Sequence, residues 1–164
     1  MRNTPPKDDT QGRRKILLRN ALLATVLTVA PLSAMADEPI GQIKTETGAV
    51  TIERGGKSLP AVAGEHVYRS DTIVTPAHAS VGITFTDNSL LALGSFSRLS
   101  LDQFRFNTTT HQGAFDVSLH QGTLAVKSGQ IVRQTPEAMR VRTPAALLGV
   151  RGTEFVVQAG GKHS

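Results

Sequence analysis

Val141-Arg142-Thr143-Pro144-Ala145-Ala146-Leu147-Leu148-Gly149-Val150-Arg151-Gly152-Thr153-Glu154-Phe155-Val156-Val157 is the stretch whose reading decides the fold. It predicts strand, tight corner, strand. Pro144 holds Thr143 in extended geometry and has no N–H for a sheet ladder, so the first strand stops there. Gly149 and Gly152 bracket Val150-Arg151 and give the backbone freedom to change direction sharply. From Thr153 the run Thr-Glu-Phe-Val-Val is rich in strand-favouring residue types and mostly apolar. Arg151 is the odd member, a permanent charge in a corner among apolar neighbours. It points into water or meets a carboxylate. Counting back from Thr153, Arg151 shares the face of Phe155 and Val157 if the corner keeps register. The expectation is a partly buried guanidinium paired with Asp71, or else with Asp87. If the two glycines break the register, Arg151 lies in water.

Working outward, the chain upstream shows no helix period after its first 36 residues. Short alternating runs are separated by Gly, Asn, Asp and Ser. Val81, Ile83 and Phe85 alternate with Gly82, Thr84 and Thr86, and Leu91 and Leu93 follow. Leu99 and Leu101 come next, then Phe104 and Phe106. This is the period-2 pattern of half-buried strands. Thr86-Asp87-Asn88-Ser89 between two such runs predicts a hairpin turn, because Asp and Asn tolerate left-handed backbone. Gly48-Ala-Val-Thr-Ile, Gly113-Ala-Phe-Asp-Val and Gly122-Thr-Leu-Ala-Val share Gly-x-apolar-x-apolar, a weak internal repeat. The fold class is all-β, one domain of Gly-punctuated strands over residues 37–164. Two architectures stay open: a β-roll or solenoid of stacked units, and a twisted β-sandwich.

The N-terminus reads differently. Arg13-Arg14-Lys15, an apolar run from Ala21 to Ala30, Pro31 and Ala34-Met35-Ala36 make the three parts of a secretory signal peptide over residues 1–36, cleaved after Ala36. The apolar run is short of the ~20 residues of a membrane span, and Arg19 interrupts it upstream. The expected destination is the periplasm by the Sec route, with no stable membrane insertion after cleavage. Arg13-Arg14 also resembles a twin-arginine signal, which is the alternative route. The leader carries six Lys/Arg and two Asp/Glu, leaving 12 basic against 11 acidic residues in the rest. The overall basicity belongs mostly to the leader, so no nucleic-acid partner is expected.

Residues that could carry chemistry are few. There is no cysteine, which excludes disulfides, thiolate nucleophiles and lipidation at cysteine. His66, His78, His111, His120 and His163 form no pair at metal-ligand spacing, so neither a metal nor a cofactor is expected. No nucleophile elbow, Ser-x-x-Lys or phosphate-cradling loop occurs, and no catalytic residue is assigned. Asp87 is accounted for by its turn, and Asp102 and Asp116 by alternation onto a wet face. Asp71 has only its place at a strand entry.

Four patches of this chain resemble the FecR domain family. Gly64-Glu65-His66-Val67 leads into Ser70-Asp71-Thr72-Ile73-Val74-Thr75, where the family tends to have Gly and then Asp-x-Ile-x-Thr. Ser80 to Ser89 is similar to its strand-turn-strand, with Asn88 where glycine is usual. Arg98-Leu99-Ser100-Leu101 and Gly122-Thr123-Leu124 resemble the strands that follow. The most specific patch runs from Thr143-Pro144 through Gly149, Arg151, Gly152, Thr153 and Phe155. The resemblance implies an exported all-β module of bacterial envelopes, with Asp71, Thr75, Asp87 and that last patch as signature positions. Signal-transducing relatives also carry a cytoplasmic anti-sigma segment, a membrane span and a receptor-facing domain. A leader stands here in place of the first two, so the expectation is a stand-alone sensing or scaffolding module, not a sigma-factor regulator. Its partner would be another envelope protein or the cell wall. The competing expectation is a glycan-binding or glycan-processing protein with a hidden carboxylate pair ~5–9.5 Å apart.

Overall fold

The computed structural model describes residues 37–160. Twelve strands and one short helical turn follow one another: β1 (Gly41–Thr47), β2 (Thr51–Arg54), β3 (Lys57–Pro60), β4 (His66–Val67), β5 (Thr72–Thr75), β6 (Ser80–Phe85) and β7 (Leu90–Leu93). After these come β8 (Ser97–Phe106), β9 (Gly113–Lys127), α1 (Gln130–Gln134), β10 (Met139–Arg142), β11 (Leu147–Gly149) and β12 (Glu154–Ala159). The all-β class is correct. Among the described residues, α1 is the only helix.

The strands form one curled sheet in the order β3-β2-β5-β8-β9-β7-β6-β1-β4, with β10, β11 and β12 branching from β9. Every pairing is antiparallel except β9 with β10. The curl has its cause in β9. Its first half pairs with β8 and β10, and its second half with β7 and β12. Between the halves the register against β8 slips at His120, and Gly122 takes φ +91°. A bulge followed by a left-handed residue bends a strand and rotates its faces. The inward residues are accordingly Phe115, Val117 and Leu119 before the bend and Leu124 and Val126 after it, a change of parity. The two Gly-x-apolar-x-apolar echoes at Gly113 and Gly122 are thus halves of one bent strand, not stacked units.

The bend folds the sheet into two wings around one core. Ile52, Ile73, Leu99 and Val141 come from the wing containing β8, and Ile43, Ile83, Leu91 and Val157 from the wing containing β6. Phe85 of the second wing meets Phe115 and Phe104 of the first, with ring centroids 4.6 and 5.7 Å apart. Such tilted aromatic pairs add to the burial that drives the wings together. The 86–89 turn forms as its residues require. Asn88 has φ +65°, and the Asp87 carboxylate accepts hydrogen bonds from the N–H and hydroxyl of Ser89 at 3.0 and 2.7 Å.

The C-terminal stretch corrects two expectations: it holds three strands, not two, and Arg151 is not buried. β10 ends at Arg142 just before Thr143-Pro144, and Thr143 closes a turn by accepting from the N–H of Ala146 at 3.0 Å. Leu147–Gly149 then returns along β10, and the corner before β12 holds Gly152 at φ +106°. Val150, not Arg151, takes the buried place there, and its N–H donates to the Met139 carbonyl at 2.9 Å. The corner does not keep register. Arg151 points outward with its side chain 75% exposed and pairs with Glu137, not with Asp71 or Asp87.

Candidate interaction surface

The positions singled out in the sequence are dispersed fasteners. Asp71 is fully buried, and Arg54 donates to it through Nε and Nη2, both at 2.8 Å. The Tyr68 N–H adds a third bond at 2.9 Å. Arg54 also donates to the His66 carbonyl and lies over the Tyr68 ring. The hydrogen bonds and charge of Asp71 hold the Arg54 pKa above its ordinary value. Arg54 was not among the residues that the sequence singled out. Thr75 is buried and joins the end of β5 to the turn between β7 and β8, donating to the Gly94 carbonyl and accepting from the Ser97 N–H at 2.9 Å. The buried Asp87 accepts from Ser89 as above, and its backbone carbonyl accepts from the Gln130 N–H at 2.8 Å. The Gly152 and Thr153 carbonyls accept from the hydroxyl and N–H of Ser128. Phe155 packs inward against the core.

Asp102, Asp116 and His120 are likewise engaged. Asp102 accepts from Ser118, and Asp116 forms a two-pronged pair with its cross-strand neighbour Arg140. His120 Nε2 lies 2.9 Å from the Ser100 hydroxyl on the same exposed face, which in turn meets Thr72. Among the described residues no group of three potential metal ligands is present. His163 and residues 1–36, where the leader and its cleavage site are expected, lie outside the described residues. No helix among the described residues is long and apolar enough to cross a membrane.

The two wings present opposite outer faces. The face of β2, β5, β8, β9 and β10 carries Glu53 paired with Arg98, then Thr72, Ser100, Ser118 and the Asp116–Arg140 pair. The outer face of the other wing is apolar at its centre. Leu90 and Ala92 from β7, Ala125 from β9 and Val156 from β12 line a groove of about 560 Å³. Gly82 deepens it, because any side chain there would press on the Thr45 hydroxyl. Lys44 stands at one border on a bulge of β1, and Lys127 at the other is paired with Glu154 at 3.2 Å. Leu90 and Val156 remain exposed, Val156 by 67%. Monomeric soluble proteins seldom leave such a contiguous apolar face without a use for it. A signal for it existed in the sequence. Leu90-Leu91-Ala92-Leu93 and Phe155-Val156-Val157 are continuous apolar runs, the mark of strands covered on both faces.

The described residues thus form an all-β sheet with dispersed internal fasteners and an apolar groove on one outer face. The chain belongs to the FecR protein family, whose model matches residues 71–164. No curated protein and no solved structure matches it.

Proposed function

We propose that the protein is a non-enzymatic protein-binding module of the cell envelope, a FecR-type sensing or scaffolding domain. Its partner is another envelope protein that seats apolar side chains in the groove over Leu90, Ala92, Ala125 and Val156. The observation that carries this reading is the asymmetry of the two outer faces. Polar and charged side chains on the first wing satisfy one another, whereas the second wing leaves apolar surface in water. Removing that surface from water yields about 25 cal/mol per Å². The sole acidic residue of the groove, Glu154, is already neutralised by Lys127, so the site lacks the paired carboxylates of glycan hydrolysis. The module works in the periplasm once residues 1–36 are removed, and mass spectrometry of the exported protein should find Asp37 first.

A photo-crosslinking residue placed at Ala92 in living cells tests the binding face, with Ser100 on the polar face as control. The expected result is a specific adduct with an envelope protein from Ala92, lost when Ala125→Glu charges the groove. No adduct from Ala92, or equal yield from Ser100, refutes the reading.

A further inference from the structure

Four strands terminate the sheet among the described residues, and three of them are protected. Strand β3 carries Lys57 and ends in Pro60, β4 is two residues long, and β11 is three. Charge, proline and shortness are the usual ways of blunting an edge. Strand β12 has no proline and is not short, and its one charge is already paired with Lys127. It runs for six residues, Glu154-Phe155-Val156-Val157-Gln158-Ala159, with one charge at its first position.

The free backbone groups of this edge follow from the ladder. Ser128 donates its N–H to the Thr153 carbonyl at 2.8 Å, and β12 pairs with β9 from Glu154↔Lys127 to Ala159↔Gly122. In an antiparallel ladder bonded pairs alternate, so Phe155, Val157 and Ala159 bond to β9. The N–H and C=O groups of Glu154, Val156 and Gln158 therefore point away from it. These three residues also carry their side chains on the outer, groove-bearing face.

We infer that β12 pairs with β12 of a second copy, antiparallel about a two-fold axis through Val156. The free groups are spaced symmetrically about Val156, so one register satisfies both strands: Val156 opposite its own copy and Glu154 opposite Gln158. An isologous interface requires this self-complementarity. The charges agree with it. Glu154 faces an amide that can donate to it, and its like-charged copy lies at the far end of the pairing. The two exposed Val156 side chains meet at the axis, and the two apolar grooves join into one face across both copies. This inference rests on the backbone edge and goes beyond the proposed binding of an envelope partner.

Sedimentation equilibrium of the purified protein over a range of concentrations, with hydrogen exchange of the β12 amides, tests it. The expected species has twice the mass of the purified chain, and the Val156 amide becomes protected as it forms. Val156→Pro should abolish the dimer and keep the fold, because the lost N–H faces away from β9. Val156→Lys should do the same by placing two like charges at the axis. A wild-type protein that stays monomeric, or a dimer that survives both substitutions, overturns the inference. The adduct at Ala92 reports separately on the groove. A heterologous adduct from a monomeric protein leaves the binding reading standing while the pairing fails, and a dimer without one does the reverse.

Discussion

Removing the guanidinium of Arg54 should cost the fold about 3 kcal/mol. Asp71 is wholly buried and accepts three hydrogen bonds, two of them from Arg54. Charge-assisted bonds of this kind contribute about 1.5–3 kcal/mol each, and breaking a buried pair on one side costs about 3–5 kcal/mol. The Arg54 side chain is itself 31% exposed, so water can enter where it stood and reach the carboxylate. That places the Arg54→Ala loss at the lower end of the range. Asp71→Ala should cost less, roughly 2 kcal/mol, because the orphaned guanidinium can turn to water. Arg54→Lys keeps the charge but loses the fork, and should fall between wild type and Arg54→Ala. Since the Arg54 pKa is raised in the fold, its contribution is full below the unfolded value and fades only as pH rises through the folded one. Alkaline buffers short of that range should leave the Arg54→Ala difference unchanged. Urea denaturation of wild type, the three single variants and the Arg54→Ala/Asp71→Ala double variant measures all of this. Single losses below about 1 kcal/mol that add within about 0.5 kcal/mol would show the pair is not coupled and refute the reasoning.

Arg151→Ala should change stability by no more than about 1 kcal/mol in urea, since its pair with Glu137 is exposed on both sides. Gly122→Ala should destabilise by roughly 3 kcal/mol or prevent folding, because the new methyl would overlap Ser97 at a residue held at φ +91°. Circular dichroism melting of this variant against Gly55→Ala, where a Cβ meets nothing nearby, separates the clash from the backbone strain. Asn88→Gly should leave the melting temperature unchanged or raise it slightly, whereas Asn88→Val should lower it, since a β-branched residue at φ +65° is strained.

Most of the strands were legible because period-2 alternation is a local signal. Val81, Ile83 and Phe85 declare an inward face without reference to any other part of the chain. The 86–89 turn was legible for the same reason: Asp87 and Asn88 carry their own turn chemistry. Charge pairing was not, because a salt bridge depends on which strands lie side by side. Arg54 precedes Asp71 by 17 residues and reaches it only because β2 and β5 are neighbours in the sheet. Arg151 was misplaced by carrying a two-residue period through Gly152, whose left-handed backbone resets the facing of everything before it. The bulges at Lys44, Asp102 and His120 are equally silent in a pattern of residue types.

The apolar face escaped for a different reason. Leu90-Leu91-Ala92-Leu93 fits an alternating template at Leu91 and Leu93, and the template never asks what Leu90 and Ala92 are doing. A strand with one face in water has no physical need for them. Their apolar character is therefore excess information, and it points outward. The family signature lies elsewhere. Asp71, Thr75, Asp87, Pro144 and Gly152 hold turns and strand ends in place, and substitution there would disturb any member of the fold alike. Resemblance at such positions identifies an architecture and leaves the ligand open. The two meet at β12, where Phe155 anchors the strand inward and Val156 shows the next side chain to the groove. A change at Phe155 should loosen the sheet, whereas a polar residue at Val156 should leave the sheet intact and silence the surface.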